Sequence, residues 1–290
     1  GAYVIWGVFP VYWKQVHQVP ALEILGHRIV WSLFFMCAVL VVTGEWAVFR
    51  KTMRRKEIWR TYILAGGLLA VNWFTYIWAV NAGFVVEASL GYFINPLFSV
   101  LLGVVFLKER LRRGQAVAVG FAAAGVLYLT FGYGALPWVA LVLAGSFGIY
   151  GLVKKTSPLD ARQGLTMEMS VLFFPALAYL LWLESQGVAA FGHQNWQTTL
   201  LLGFAGVVTA VPLLMFGAAA RSIPLSMVGF LQYLAPTLQF LIGVFVYHEP
   251  FPVERLLGFS LVWAGLLVYA LEGWWVAGRQ MRRRMFSPSD

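Results

Sequence analysis

Charge is scarce in this chain: Asp, Glu, Lys and Arg make up 11% of its 290 residues, against 60% apolar residues. A water-soluble domain of this length needs far more polar surface, so that class is excluded. There is one cysteine, Cys37, which excludes an intramolecular disulfide and reads as a small buried residue. No G-x4-G-K-[ST] loop and no long hydrophilic domain occur, so an ATP-driven pump is not expected. No HExxH, CxxC or Gly-x-Ser-x-Gly motif occurs either, so no metal, cofactor or enzymatic chemistry is expected. A membrane-embedded lipid enzyme would need a cluster of His, Asp or Glu at one face, and only Glu23, His27 and Arg28 come close.

What the chain does have is long apolar runs, with a mean hydropathy of +0.76. Ten are read, at 1–13, 24–43, 59–80, 88–107, 115–131, 136–153, 165–183, 198–220, 226–247 and 256–276. Most match the length of about 17–25 residues that crosses a ~30 Å hydrocarbon core. The expected fold is all-α and integral to a membrane, with ten transmembrane helices. The first run is short and begins at Gly1 inside apolar sequence, so a native N-terminal segment is expected to precede it.

Lys and Arg outnumber Asp and Glu by 21 to 12, a net charge of +9. Their placement argues against nucleic acid as a partner. Arg50–Arg60, Lys108–Arg113, the group Lys154, Lys155 and Arg162, then Arg221, and the tail from Arg279 all fall on one side of a ten-span topology. That pattern places both termini in the cytoplasm and makes anionic lipid headgroups the partner of these cations. Residues 277–290 read as a basic cytoplasmic tail.

A shift of 140 residues lays the chain on itself. Ala65-Gly66 meets Ala205-Gly206, Pro96 meets Pro236, Gly103-Val104 meets Gly243-Val244, Glu109 meets Glu249, and Ala124-Gly125 meets Ala264-Gly265. The copies are residues 1–131 and 136–276. Each has five runs, an odd number, so the copies enter the membrane in opposite directions. Inverted repeats of this kind are built into secondary transporters, whose substrate site lies where the halves meet near the midplane.

Polar positions follow the same register. Ser89, Tyr92, Pro96, Ser99 and Gly103 share one helix face, and Gly229, Gln232, Pro236, Gln239 and Gly243 share its counterpart. Pro96 and Pro236 are expected to free the carbonyls of Tyr92 and Gln232, and Pro10 that of Trp6. A freed carbonyl in hydrocarbon needs a partner. These stripes therefore line a cavity, with Asn95, Asn72, Trp73 and Trp13 beside it, or else they are packing kinks. Arg28 lies about a turn inside its apolar run. It either holds a substrate carboxylate, snorkels to headgroups, or pairs with Glu23 or Glu87. Glu23, His27 and Glu87 are candidates for proton coupling or for helix-end roles, and Glu168 is read in the same two ways.

The segments EILGHRIVWS (23–32), EASLGYFINPL (87–97), FLKER (106–110) and GFLQYLAPT (229–237) resemble the bacterial RarD group, within the EamA branch of the drug/metabolite transporter superfamily. The likeness runs to about Glu272. It implies a ten-helix inner-membrane protein with two inverted five-helix repeats and both termini inside. It implies a secondary transporter, and an exporter, of small amphipathic metabolites or drugs, amino-acid-like or amphenicol-like, working by alternating access. It also connects the group with chloramphenicol sensitivity or resistance. The superfamily's cavity uses spans one, three, four, six, eight and nine, which supports Trp13, Asn72, Trp73, Tyr92, Asn95 and Gln232 as substrate contacts, alongside Arg28 and Gln239. A membrane sensor or scaffold without flux is the alternative.

Overall fold

The computed structural model describes every residue except Gly83, 134–135, 249–252 and 286–290. Glu249, the second copy's counterpart of Glu109, lies outside the described residues. Among those described, regular structure is entirely helical. The helices are α1 (Ala2–Trp13), α2 (Ala21–Val42), α3 (Trp46–Met53), α4 (Lys56–Asn81), α5 (Val85–Phe106), α6 (Arg113–Tyr133), α7 (Trp138–Thr156), α8 (Ala161–Ser185), α9 (Trp196–Ser222), α10 (Leu225–Gln232), α11 (Leu234–Leu241) and α12 (Val253–Met285). A π-helical turn, Ile242–Val246, extends α11.

Among the described residues, nine helical segments are long and apolar enough to cross a membrane: α2, α4 to α9, the Leu225–Val246 segment, and α12. The chain is therefore a multi-pass membrane protein. Helix α1 has 12 residues, about 18 Å of rise, which is short of the hydrocarbon thickness. α12 runs on to Met285, so the residues read as a tail from 277 begin as a continuation of that helix.

Local chemistry sets the helix ends. Pro20, Pro137 and Pro224 immediately precede α2, α7 and α10, where a missing N–H is harmless. Asp160 Oδ1 accepts from the amides of Arg162 and Gln163 at 2.8 and 2.9 Å, and Asn195 Oδ1 from Thr198 at 2.7 Å, capping α8 and α9. Pro10 and Pro96 lie inside α1 and α5. Pro236 sits just after the point, Tyr233, where α10 gives way to α11, because its ring removes the bond that Gln232 would have accepted.

Helix α6 packs on α12, α5 on α7 and α10, α2 on α8 and α9, α4 on α7, and α1 on α11. Small residues let backbones approach at these seams. An added Cβ on Gly125 would stand 2.6 Å from the Gly258 carbonyl, and one on Gly265 2.7 Å from that of Ala118. These two contacts are the same contact under the 140-residue shift. Likewise Tyr233 donates its hydroxyl to the carbonyl of Phe93, its own counterpart, at 3.1 Å. Lys108 and His248, also counterparts, both take left-handed backbone, with φ of 55° and 52°. Gly125 and Gly265 thus pack within one chain, whereas Gly120 faces open space.

Candidate substrate cavity

Helices α1, α2, α4, α5, α7, α9, α10 and α11 enclose a cavity of about 310 Å³. Its lining includes Trp13, Arg28, Asn72, Trp73, Tyr92, Asn95, Gln232 and Gln239, together with Pro10 and Pro236. Among the described residues, Arg28 is the sole formally charged member of that lining. Its guanidinium carbon lies 5.1 Å from the ring centroid of Trp13 and 4.9 Å from that of Trp73. Its Nε donates to Thr209 Oγ1 at 3.0 Å. No described carboxylate forms an ion pair with it.

The two acids read as possible partners of Arg28 are engaged elsewhere. Glu23 Oε1 accepts from the Ala190 amide at 2.6 Å and lies 3.9 Å from His27. His27 stacks on Phe191 and accepts from the Trp31 indole at 3.3 Å. Glu87 accepts from the Val139 amide at 3.1 Å, at the start of α7. Glu23, His27 and Glu87, the candidates for proton coupling, are not among the lining residues.

The cavity also holds unused acceptors. Asn95 Oδ1 and Gln232 Oε1 are buried and meet no hydrogen-bond donor. Leaving such an atom unpartnered costs about 1–3 kcal/mol, so a ligand N–H or O–H is favoured there. Tyr92 and Tyr76 meet edge to face at 5.9 Å and both line the wall. Two other amides are already committed. Asn72 donates to the Leu143 carbonyl and to Ser146 Oγ, at 2.9 and 3.0 Å, tying α4 to α7. Gln239 Nε2 donates at 3.0 Å to the Trp6 carbonyl, the one that Pro10 leaves free. The bond joins α11 to α1. Pro96 is not part of the lining; its carbonyl backs onto Gly229, where an added Cβ would sit 2.6 Å away.

One end of the cavity is floored by aromatic rings. Trp6 lies 5.8 Å from both Phe147 and Phe216, and Phe216 stacks on Tyr150 at 5.8 Å. Beyond them lies an ion pair that sequence reading assigned wrongly. Lys154, grouped above with headgroup-facing cations, is 1% exposed and Glu168 0%. Their Nζ and Oε1 are 2.8 Å apart, and Tyr150 donates to Glu168 Oε2 at 2.9 Å. The signal was present in the repeat, since the 140-residue shift lays Lys154 on Lys14 and Glu168 on Arg28. Lys154 is thus neutralised by an acid, while the position 140 residues before that acid holds an arginine. That substitution leaves Arg28 without an acidic partner.

Residues 1–131 match the EamA-like transporter family. A protein named "Uncharacterized transporter YojE" from Bacillus subtilis (strain 168) is 51% identical over 92% of this chain and 90% of its own length. "Protein RarD" from Streptomyces exfoliatus is 48% identical over 98% of this chain and 89% of its own. One solved structure, 18% identical, superposes with a TM-score of 0.69 over 93% of this chain and 95% of its own, which shows a shared fold. With relatives about half identical along almost their whole length, the chain belongs to the EamA-like transporter family, among its RarD-type members.

Proposed function

We propose that this protein is a secondary carrier that exports a small amphipathic solute across the bacterial inner membrane by alternating access. One observation carries the reading: a guanidinium without an acidic partner, held between two indoles, in a cavity that also offers two unpartnered amide oxygens. A fixed cation and free acceptors in a low-dielectric cavity are costly for stability and useful for binding. The indole faces suit an apolar or aromatic body, and the Arg28 fork suits a carboxylate or another acceptor group. Trp13, Arg28, Trp73, Tyr92, Asn95 and Gln232 are the substrate contacts in this reading. Asn72 and Gln239 shape the wall through their bonds to α7 and α1.

The topology proposed is ten spans in two inverted five-helix repeats, with both termini in the cytoplasm. Its support is the reciprocal Gly125/Gly258 and Gly265/Ala118 contact, the paired left-handed residues, and the one-sided distribution of Lys and Arg. In this orientation the aromatic floor and the Lys154–Glu168 pair lie on the cytoplasmic side of the cavity. Rocking about the proline position Pro96 inside α5 and about the α10–α11 break before Pro236 would open that side while the opposite side closes.

The test is flux into proteoliposomes of purified protein. The panel holds amino acids, aromatic metabolites and an amphenicol, each with and without a pH gradient. Saturable flux of at least one solute is expected. Its loss in Trp73→Ala, with a monodisperse protein, would tie flux to this cavity. Folded protein that moves none of the panel would count against a carrier.

A further inference from the structure

We infer that the solute is a net monoanion, a carboxylate on an apolar or aromatic body, and that its export is electrogenic, driven by the inside-negative membrane potential without an accompanying proton. The inference deepens the carrier reading above and rests on it.

Among the described lining residues Arg28 alone carries a formal charge. Its Nε is taken by Thr209, and its guanidinium carbon lies over the rings of Trp13 and Trp73. The terminal nitrogens, Nη1 and Nη2, are the edge left for a ligand, and a carboxylate fits that edge with two parallel hydrogen bonds. A monoanion brings the site to neutrality. A zwitterion would place its ammonium against neutral acceptors only, Asn95 and Gln232, with Arg28 repelling it. A cation would meet the same repulsion with no compensation. The low dielectric around the site sharpens both differences.

A proton-coupled carrier needs a titratable group that alternates between the two sides with the substrate. Besides Arg28, the titratable lining residues are the phenols Tyr3, Tyr76 and Tyr92. The three candidates for proton coupling are bound outside the lining: Glu23 to the Ala190 amide, His27 between Trp31 and Phe191, Glu87 to the Val139 amide. Glu168, at the repeat position of Arg28, is held by Lys154 and Tyr150 outside the lining. An anion needs no such group. A potential of 100 mV, inside negative, drives a monoanion outward to a ratio of roughly 50-fold, the equivalent of about 2.3 kcal/mol.

The experiment uses three probes with one indole body: N-acetyltryptophan, which is monoanionic at pH 7.5, zwitterionic tryptophan, and neutral N-acetyltryptophanamide. Uptake into proteoliposomes of the full chain is measured with the potential clamped by potassium and valinomycin, and leak into protein-free vesicles is subtracted. The expected result is saturable uptake of the anion that rises when the lumen is made positive, approaches a 50-fold ratio near 100 mV, and is unchanged when a pH gradient is collapsed. The other two probes should move at least tenfold more slowly. Arg28→Gln should remove the voltage-dependent flux. Arg28→Lys should keep the preference for the anion with roughly tenfold weaker half-saturation, since the charge stays and the fork is lost. Uptake of tryptophan or of the amide in preference to the anion, or anion uptake indifferent to potential, would overturn the inference and leave the carrier reading standing. Failure of all three probes and of the wider solute panel would overturn the carrier reading, and this inference with it.

Discussion

Glu168→Gln removes one charge from the most deeply buried ion pair of the structure. At 2.8 Å, the attraction between Lys154 and Glu168 is about 6 kcal/mol for an effective dielectric near 20. Desolvation of each ion is several kcal/mol, so the intact pair contributes little net stability. Removing one partner is different, because the other keeps its desolvation penalty. Lys154 has no route to water: its ammonium is hemmed in by α8 and α9, where an added Cβ on Gly164 would lie 3.2 Å from Nζ and one on Gly217 3.0 Å from Cε. Glu168→Gln and Lys154→Met should therefore each destabilise the protein by about 3–5 kcal/mol. The double variant should be more stable than either single one, since a neutral pair leaves no buried charge. Retention of the monodisperse peak after heating in detergent, compared across the four proteins, reads this out. Single variants as stable as the parent, or a double variant with the summed loss, would refute the reasoning.

Three further outcomes are expected. Asn95→Leu and Gln232→Leu should leave thermal stability unchanged or raised, because each oxygen is already unpartnered, while half-saturation for transport weakens; a stability loss above about 1 kcal/mol would show that the amides are structural. Gly229→Ala should lower folded yield by placing a methyl 2.6 Å from the Pro96 carbonyl, an overpacking cost of about 1–3 kcal/mol, whereas Gly203→Ala, which meets nothing within 4 Å, should be silent in the same yield assay. Glu109→Ala should cost about 1–2 kcal/mol, because its carboxylate accepts from the amides of Leu225 and Ser226 at 2.6 and 2.9 Å and caps α10; heating in detergent gives the measurement, and an unchanged melting point would contradict the cap.

Much of this was legible in sequence because the bilayer simplifies the problem. Apolar runs mark the long helices, as Ile24 to Thr43 marks α2, while proline marks a break at Tyr233 before Pro236 but not at Pro10 or Pro96, which lie inside α1 and α5. Composition along a run cannot mark α3, whose eight residues include both Trp46 and Lys51 and pack beside α2 and α4. Tyr92, Gln232 and Gln239 line the cavity at the phase at which polar side chains turn from lipid, whereas Ser89, Ser99 and Gly229 of the same stripes lie outside the lining. What each does with its hydrogen bonds was not legible, because the partners lie far away in the chain. Asn72 and Gln239, expected as substrate contacts, spend their amide N–H groups on Leu143 and Ser146 and on Trp6. Lys154 looked like a headgroup cation because a basic residue near a run end ordinarily is one, and its acid sits 14 residues on, on another helix. Arg28 shows the converse. Glu23 stands five residues before it in sequence and Glu87 opens α5, and only the fold shows that their hydrogen bonds lead elsewhere.

In the proposed mechanism the cavity around Arg28 opens to each side of the membrane in turn. In a Cys37→Ser background, a cysteine in place of Tyr76, which lines that cavity, can be challenged with a membrane-impermeant thiol reagent from either face in oriented vesicles. The account predicts labelling from both faces, at rates that shift in opposite directions when a transported solute is added. Labelling from one face alone, unchanged by any solute that crosses, would contradict it.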